Sequence, residues 1–500
     1  MTDSAPLTDL SAANLAELDS PVARPGYDRD QVTVGIVHFG VGAFHRTHQA
    51  MYLDRLMEAG KAMDWGICGV GVLPSDRAMQ TVMDAQDCLY TMVVKHPNGT
   101  FEPRVIGSIV DYLFAPDDPE AVIERMADPA TRIVSLTVTE GGYNIHAVTG
   151  KFDETTPDIV HDAQPGAVPR TVFGLITEAL QRRWQRDLPP FVVMSCDNIP
   201  GNGDVAGGSL AAFARLRDPA LGDRIESDVH FPNGMVDRIT PATTDDDRIE
   251  IARRFGLRDG WPVVCEPFTQ WVLEGWDPAA RPPLEDVGVQ LVEDVGPYEL
   301  MKLRLLNGSH QALCYLGYLA GYRYAHEVCQ DPLFAEFLLA YMDAEATPTL
   351  EPVPGIDLDE YKPNLIARFS NPQIRDTLAR LCTESSDRIP KWLLPVIREN
   401  LANDRPIALT AAVVAAWARY SEGIDEQGAP IVVQDRFRDT LVAAAQRQSA
   451  DPLAFVRNRE LFGDLVDDER FTSAYLSALD SLHRVGSRKT VESLLVGYRS

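Results

Sequence analysis

Positive charge is scarce in this 500-residue chain: 46 Lys and Arg stand against 73 Asp and Glu, a formal net charge of −27. Acidic side chains repel phosphate backbones, which excludes nucleic acid and anionic membrane as partners for the surface as a whole. A small anionic ligand is not excluded, because a local cradle of backbone N–H groups outvotes net charge. Long apolar runs are missing as well. The longest, from Ala408 to Trp417, falls far short of the roughly 20 residues a membrane helix needs. The first thirty residues have neither a basic n-region nor an apolar h-region, so a soluble, cytoplasmic protein is expected. The seven Cys are odd in number and form no C-x-x-C pair, which argues against a disulfide framework and a structural zinc site. Cys68, Cys196 and Cys314 read as small core hydrophobes. No H-E-x-x-H or Cys/His grouping points to catalytic zinc.

What is present is the composition of a globular protein, 45% hydrophobic and 24% charged, long enough for two large domains. The N-terminal half alternates short β-branched runs with helical patterns. Strands are predicted over 32–39 (VTVGIVHF), 65–72, 133–138 (IVSLTV) and 191–195 (FVVMS), and helices over 48–59, 119–126 and 172–185. Such alternation implies βαβ units and a mostly parallel sheet. Segments 89–95 and 101–110 read as an inserted antiparallel pair. From about Tyr298 onward strand signals almost vanish and helical patterns follow one another over 298–322, 333–342, 373–381, 391–401, 407–420 and 437–445. The expected division is an α/β domain over 1–294 and an α-helical domain over 295–500.

The first strand runs into Gly40-Val41-Gly42-Ala43-Phe44-His45-Arg46. Two glycines in G-x-G spacing allow a tight turn and close approach of a pyrophosphate, and the following helix offers its N–H groups to the phosphates. His45 stands where the usual third glycine would be, and a bare G-x-G also marks simple tight turns. Asp76 follows the second strand, where an acid accepts from adenosine ribose hydroxyls and repels a 2′-phosphate, which points to NAD rather than NADP. A solvated loop aspartate beside Arg77 is the competing reading. Two further strands end in Thr139-Glu140-Gly141-Gly142-Tyr143 and in Cys196-Asp197-Asn198-Ile199-Pro200-Gly201. Ligands of open parallel sheets bind beyond the carboxyl ends of strands, so these clusters lie where a site is expected.

Only seven of the basic residues are Lys, and one, Lys302, sits in the apolar helical pattern Lys302-Leu303-Arg304-Leu305-Leu306-Asn307-Gly308-Ser309-His310. At 100° per residue Asn307 lies 140° and His310 80° around a helix from Lys302, so all three can face one cleft. A desolvated Lys has a lowered pKa and suits a general base near neutral pH. The alternatives are a Lys that snorkels outward and a His satisfied in the core. Gly308 in mid-helix costs about 1 kcal/mol, a local rule-break of the kind functional sites contain. Tyr298 and Lys302 also spell Tyr-x-x-x-Lys, the pair of short-chain dehydrogenases. More than 250 residues separate them from the glycine loop, and the spacing is read as chance.

Taken together, Gly40-x-Gly42-x-Phe44-x-Arg46, Thr139-Glu140-Gly141-Gly142-Tyr143, Ser195-Cys196-Asp197-Asn198, Phe231-Pro232-Asn233-Gly234-Met235-Val236-Asp237-Arg238 and Lys302-x4-Asn307-Gly308-Ser309-His310 resemble the polyol-specific long-chain dehydrogenase/reductase family over nearly the whole chain. The resemblance implies an N-terminal Rossmann-type parallel-sheet domain followed by a largely α-helical C-terminal domain. It implies NAD as cofactor, bound at Gly40, Gly42, Phe44, Arg46 and Asp76. It further implies zinc-independent chemistry, with Lys302 as general base and Asn198 and Asn307 as donors to the developing alkoxide. His310, Asp237 and Arg380 would contact substrate hydroxyls. Glu140 and Glu299 would support proton transfer, with structural salt-bridging as the competing role.

The reaction implied is reversible oxidation of D-mannitol at C2 to D-fructose, by a monomer. Fructuronate and tagaturonate reductases of the same family are the alternative; Arg388 or Lys391 would then meet the substrate carboxylate. A non-catalytic NAD-binding sensor is the reading from a different class, and it would leave the Lys-Asn-Asn set idle.

Overall fold

The structure, a computed structural model, describes residues 7–18, 21–146 and 151–498. The chain divides into two compact units, Met1–Gly296 and Pro297–Ser500.

The first unit is built on five strands: β1 (Val34–Phe39), β2 (Gly66–Gly71), β3 (Ile109–Phe114), β4 (Ile133–Leu136) and β5 (Val192–Ser195). Their order across the sheet is β3-β2-β1-β4-β5, and every neighbouring pair is parallel. This is the doubly wound order of a Rossmann-type domain, in which the chain leaves β1 to opposite sides and a crevice opens beyond its carboxyl end. Adjacent residues of one strand feed opposite cores, as the two-residue period requires. Val37 and Val134 pack with Phe173 and Ile176 on one face. Ile36 and Ile133 pack with Leu53 and Leu56 on the other. Burial on both faces is why these strands read as continuous apolar runs rather than alternating ones.

Val172–Gln185 forms the helix its pattern predicts, started by Thr171, whose hydroxyl accepts from the Gly174 N–H. The inserted antiparallel pair is present as Tyr90–Lys95 against Phe101–Ile106. The run 101–110 is not one strand, however. Gly107-Ser108 interrupts it, and Ile109 begins β3 of the main sheet. A separate three-stranded sheet has Gln270–Glu274 at its centre, antiparallel to Gly234–Asp237 and parallel to Gln290–Val292.

The second unit is helical, and among its described residues the only β structure is two isolated bridges. Two departures from the pattern matter. The stretch 298–322 is not one α-helix: Gly296–Met301 is α-helical, Lys302–Asn307 is a π-helix, and Gly308–Leu319 is α-helical again. The stretch 373–381 yields only the short helix Leu378–Leu381. The longest helical run among the described residues, Glu469–Val496, has no counterpart in the helical pattern of the sequence and bends at Gly486, whose φ of 82° is not helical. No helix is long and apolar enough to cross a membrane among the described residues.

Candidate active site

In the α/β unit the strand register sets the floor of the site. Phe39 of β1 pairs with Val70 and with Leu136, and Leu136 pairs with Ser195. The residues that follow these positions therefore emerge side by side: Gly40, then Val72 to Asp76, then Thr139 and Glu140, then Asp197 and Asn198.

Gly40 takes φ +92°, and an added Cβ would overlap the Thr137 carbonyl. Its own carbonyl accepts the Thr137 hydroxyl at 2.6 Å. Gly42 starts the helix Ala43–Thr47 with no side-chain cap, so the first-turn N–H groups remain available to a ligand. A Cβ at Gly42 would find nothing nearer than the Gly40 carbonyl at 3.9 Å, so the space beside it is open. The Asp76 carboxylate takes the Val72 and Leu73 N–H groups at 3.0 and 2.9 Å, which fixes it at the end of β2. A tight glycine turn, an uncapped helix start and an acid after the second strand fit a dinucleotide.

Phe44 stacks on His48 with ring centroids 4.9 Å apart. Arg46 is fully buried, and burial pushes its guanidinium down to about 10. It donates to the Gly42 carbonyl at 3.4 Å and to the Trp261 carbonyl. Its place at the glycine loop is that of a brace. Behind the loop His38 and His45 stack 3.4 Å apart. Burial holds both imidazoles far below the usual histidine range, His45 down to about 3.

Asp197 lies within the motif Ser195-Cys196-Asp197-Asn198, which by itself gives this acid no role. Its buried carboxylate accepts from the Val138 N–H at 3.0 Å, the Thr139 N–H at 2.8 Å and the Tyr143 hydroxyl at 2.7 Å. Burial raises its pKa above the ordinary aspartate range, against the opposing pull of those donors. Thr139 is held in the left-handed region, φ +62°. Asp197 thus ties the turn carrying Glu140 to the loop carrying Asn198, and both of those side chains are exposed. Asn202 secures the same loop from behind, donating to the Asp197 and Gly234 carbonyls at 3.0 and 2.8 Å. Asp237 ends the strand Gly234–Asp237, opposite Gln270 and buried. A polar residue at a strand's carboxyl end that can reach two neighbouring loops was the available signal for Asp197.

In the helical unit Lys302 and Asn307 are the first and last residues of the π-helix, and both are buried. The 100° arithmetic fails between them, because π turns close i→i+5 rather than i→i+4. As the i→i+4 partners of an α-helix lie only about 40° apart, the i→i+5 partners of a π turn lie near one face, which brings Asn307 closer to the Lys302 face than an α-helix would. His310 is partly exposed and packs on Phe369, ring centroids 4.5 Å apart. Glu299 is partly exposed one turn before Lys302. Tyr298 is buried and donates to the Pro354 carbonyl at 2.7 Å, a structural use that fits the dismissal of the Tyr-x-x-x-Lys pair. Arg380 is aimed by Asp376, Nε to Oδ1 2.6 Å. Arg388 donates to the Leu381 carbonyl at 3.1 Å, and Lys391 is exposed. Among the described residues no group of three or more His, Cys, Asp or Glu side chains could hold a metal ion.

Comparison with known proteins places the chain. The mannitol dehydrogenase Rossmann domain matches residues 34–286 and the mannitol dehydrogenase C-terminal domain matches 294–483. Mannitol 2-dehydrogenase of Aspergillus fumigatus is 46% identical, covering 96% of this chain and 98% of that protein. Mannitol dehydrogenase 2 of Saccharomyces cerevisiae is 45% identical, with 99% of each covered. Among solved structures, Pseudomonas fluorescens mannitol 2-dehydrogenase in ternary complex with NAD and D-mannitol superposes with a TM-score of 0.91 at 44% identity, covering 98% of this chain and 99% of that one. A D-sorbitol dehydrogenase in substrate-free form gives 0.86 at 36% identity, covering 96% and 100%. With both halves of the chain matched in order and relatives similar from end to end, the chain belongs to the mannitol dehydrogenase family.

Proposed function

We propose that this chain is an NAD-dependent polyol dehydrogenase that oxidises D-mannitol at C2 to D-fructose, reversibly and without a metal. The observation that carries the reading is the buried Lys302 at the head of a π-turn ending on Asn307. It is supported by end-to-end similarity to a mannitol 2-dehydrogenase solved with NAD and D-mannitol.

The α/β unit would hold the dinucleotide: Gly40, Gly42 and the helix start near Phe44 on the pyrophosphate, Asp76 on the adenosine ribose, and Arg46 bracing the turn through the Gly42 carbonyl. The chemistry supplied by bound NAD is acceptance of the hydride that leaves C2. Lys302 Nζ removes the proton of the C2 hydroxyl. The side-chain amides of Asn307 and Asn198 donate to that oxygen as negative charge grows on it. His310, Asp237 and Arg380 bind the remaining hydroxyls, and Glu140 and Glu299 relay the proton away from Lys302. No step calls for a Lewis acid, because the lysine removes the proton and the amides stabilise the oxyanion.

The test is absorbance-monitored turnover in the presence of EDTA, offering NAD with mannitol and NADH with fructose or fructuronate. Chelator-insensitive turnover of mannitol and fructose is expected, and Lys302→Ala should lower it by about 10²–10⁴-fold while NAD still binds. Turnover confined to fructuronate would move the substrate to a sugar acid. Arg388 already spends hydrogen bonds on carbonyls of its own unit, so Lys391 would then be the first carboxylate partner to test.

A further inference from the structure

We infer that Tyr341 is a positioning residue of the reaction: its hydroxyl, admitted by the missing side chain of Gly308, holds the Lys302–Asn307 segment in its π form and so keeps the base and its amide partner on one face. This rests on the reading of Lys302 as base.

In an unbroken α-helix the Gly308 N–H would bond the Arg304 carbonyl, four residues back. Here it is directed to the carbonyls of Leu303, five back, and Leu305. The Arg304 carbonyl instead accepts the Tyr341 hydroxyl at 2.6 Å. That approach needs a glycine, because a Cβ at position 308 would overlap the Tyr341 hydroxyl oxygen. The mid-helix Asn-Gly, which costs helix propensity, is thereby explained by space for a hydroxyl.

The hydroxyl itself is firmly seated. Tyr341 is fully buried. It is followed at once by a second π-helix, Met342–Ala346, which packs against the first. That second segment is anchored by Glu345, whose buried carboxylate accepts from the Leu409 and Thr410 N–H groups, both at 2.8 Å, and from the hydroxyls of Thr410 and Tyr498, both at 2.7 Å. Arg304 is pinned on its other side, its guanidinium donating to Glu399 at 2.9 Å.

Without the tyrosine hydroxyl the Arg304 carbonyl is left to its α-helical partner, the Gly308 N–H four residues on, and taking it winds the segment back to α-helix. At 100° per residue Asn307 then swings 140° away from Lys302. Lys302 keeps its place in the chain but loses the amide that shares its substrate oxygen.

The experiment compares wild type, Tyr341→Phe, Gly308→Ala, the double variant and Lys302→Ala, with turnover normalised to NAD-binding sites counted by titration. Tyr341→Phe should lower kcat for mannitol oxidation about tenfold, with KM and the Kd for NAD changed less than about twofold, the signature of an interaction used in the transition state. The deuterium isotope effect at C2 should rise, because the chemical step has slowed. Gly308→Ala should lose about a hundredfold, and adding Tyr341→Phe should bring it back to the single Phe level, since the methyl then fills the vacated hydroxyl space. A purely structural tyrosine would lower the unfolding temperature and leave kcat per site unchanged. Wild-type kcat per site in Tyr341→Phe, beside collapsed turnover in Lys302→Ala, overturns the inference alone. Retained turnover in Lys302→Ala overturns the base and the inference together.

Discussion

The Asp197 carboxylate accepts the Thr139 N–H at 2.8 Å, and that bond ties two separate strand ends together. Glu140 follows Thr139 directly and Asn198 follows Asp197, so a single buried acid sets the spacing of both exposed side chains. Asp197→Asn keeps the shape but turns an NH2 toward donors that need an acceptor. An unsatisfied buried group of this kind costs about 1–3 kcal/mol. The variant should melt at lower temperature and lose about tenfold in kcat, roughly 1.4 kcal/mol of transition-state binding. Tyr143→Phe, which removes one of the three donors, should show a smaller loss of both. Equal kcat in Asp197→Asn and wild type, measured well below the melting temperature, would separate the acid from the reaction.

The stacked pair His38 and His45 predicts acid sensitivity. Burial favours the neutral imidazole of His45, whose pKa falls from 6.5 to about 3. A lowered folded-state value means the stabilising contribution is complete above the ordinary histidine range, near pH 6.5. It is then lost as pH falls from there toward 3. Within that window each pH unit costs about 1.4 kcal/mol for His45. His45→Phe retains a ring to stack on His38 and removes one titration. Melting temperatures of the variant, lower at pH 7 for loss of the Gln49 bond at 2.9 Å, should fall less steeply than wild type between pH 6.5 and 4.5. Parallel slopes would show that His45 is not the group that acid reaches.

In the proposed reading Asp76 chooses the dinucleotide. Its carboxylate is fixed by two backbone N–H groups at 3.0 and 2.9 Å, which aims its charge rather than leaving it to sweep through solvent. Asp76→Ser retains one acceptor for those donors and removes the charge that would repel a 2′-phosphate. The kcat/KM for NAD should drop about tenfold and the preference for NAD over NADP should shrink about a hundredfold. An unaltered preference would assign selectivity to another residue.

Much of this was legible in the sequence, for reasons that differ by element. β1, β4 and the helix Val172–Gln185 were readable because parallel strands covered on both faces are continuous apolar runs and a capped amphipathic helix carries its own period. The break at Gly107-Ser108 was not, since Phe101 to Val110 reads as one β-rich stretch and only the sheet partners separate it. Among site residues, Lys302 and Asn307 stood out as polar groups in an apolar helix. Their relative orientation did not, because a π segment leaves no mark in a hydrophobic pattern and is fixed here by Tyr341, far along the chain. Arg46 was legible only as a residue of the cofactor-binding turn that the family resemblance implies. Its burial depends on Trp261 and Tyr90 closing over it, contacts that no local pattern contains.

The two glycines of the turn after β1 should separate when mutated, because they are glycine for different reasons. Gly40 has φ +92°, and a methyl there would overlap the Thr137 carbonyl, backbone that cannot swing aside. Gly40→Ala therefore bears both left-handed strain, about 1–3 kcal/mol, and displacement of the neighbouring strand end. Gly42 has φ −82°, an ordinary value, and a methyl there meets nothing of the protein within 3.9 Å. Its glycine serves whatever approaches from outside, which in the proposed reading is the pyrophosphate. Gly40→Ala should lower the melting temperature and abolish NAD binding together. Gly42→Ala should melt with wild type and still raise the Kd for NAD by about tenfold or more, the methyl occupying space a phosphate oxygen needs. Calorimetry beside NAD titration reads both. Wild-type affinity in a stable Gly42→Ala protein would mean that the pyrophosphate does not pass over this turn.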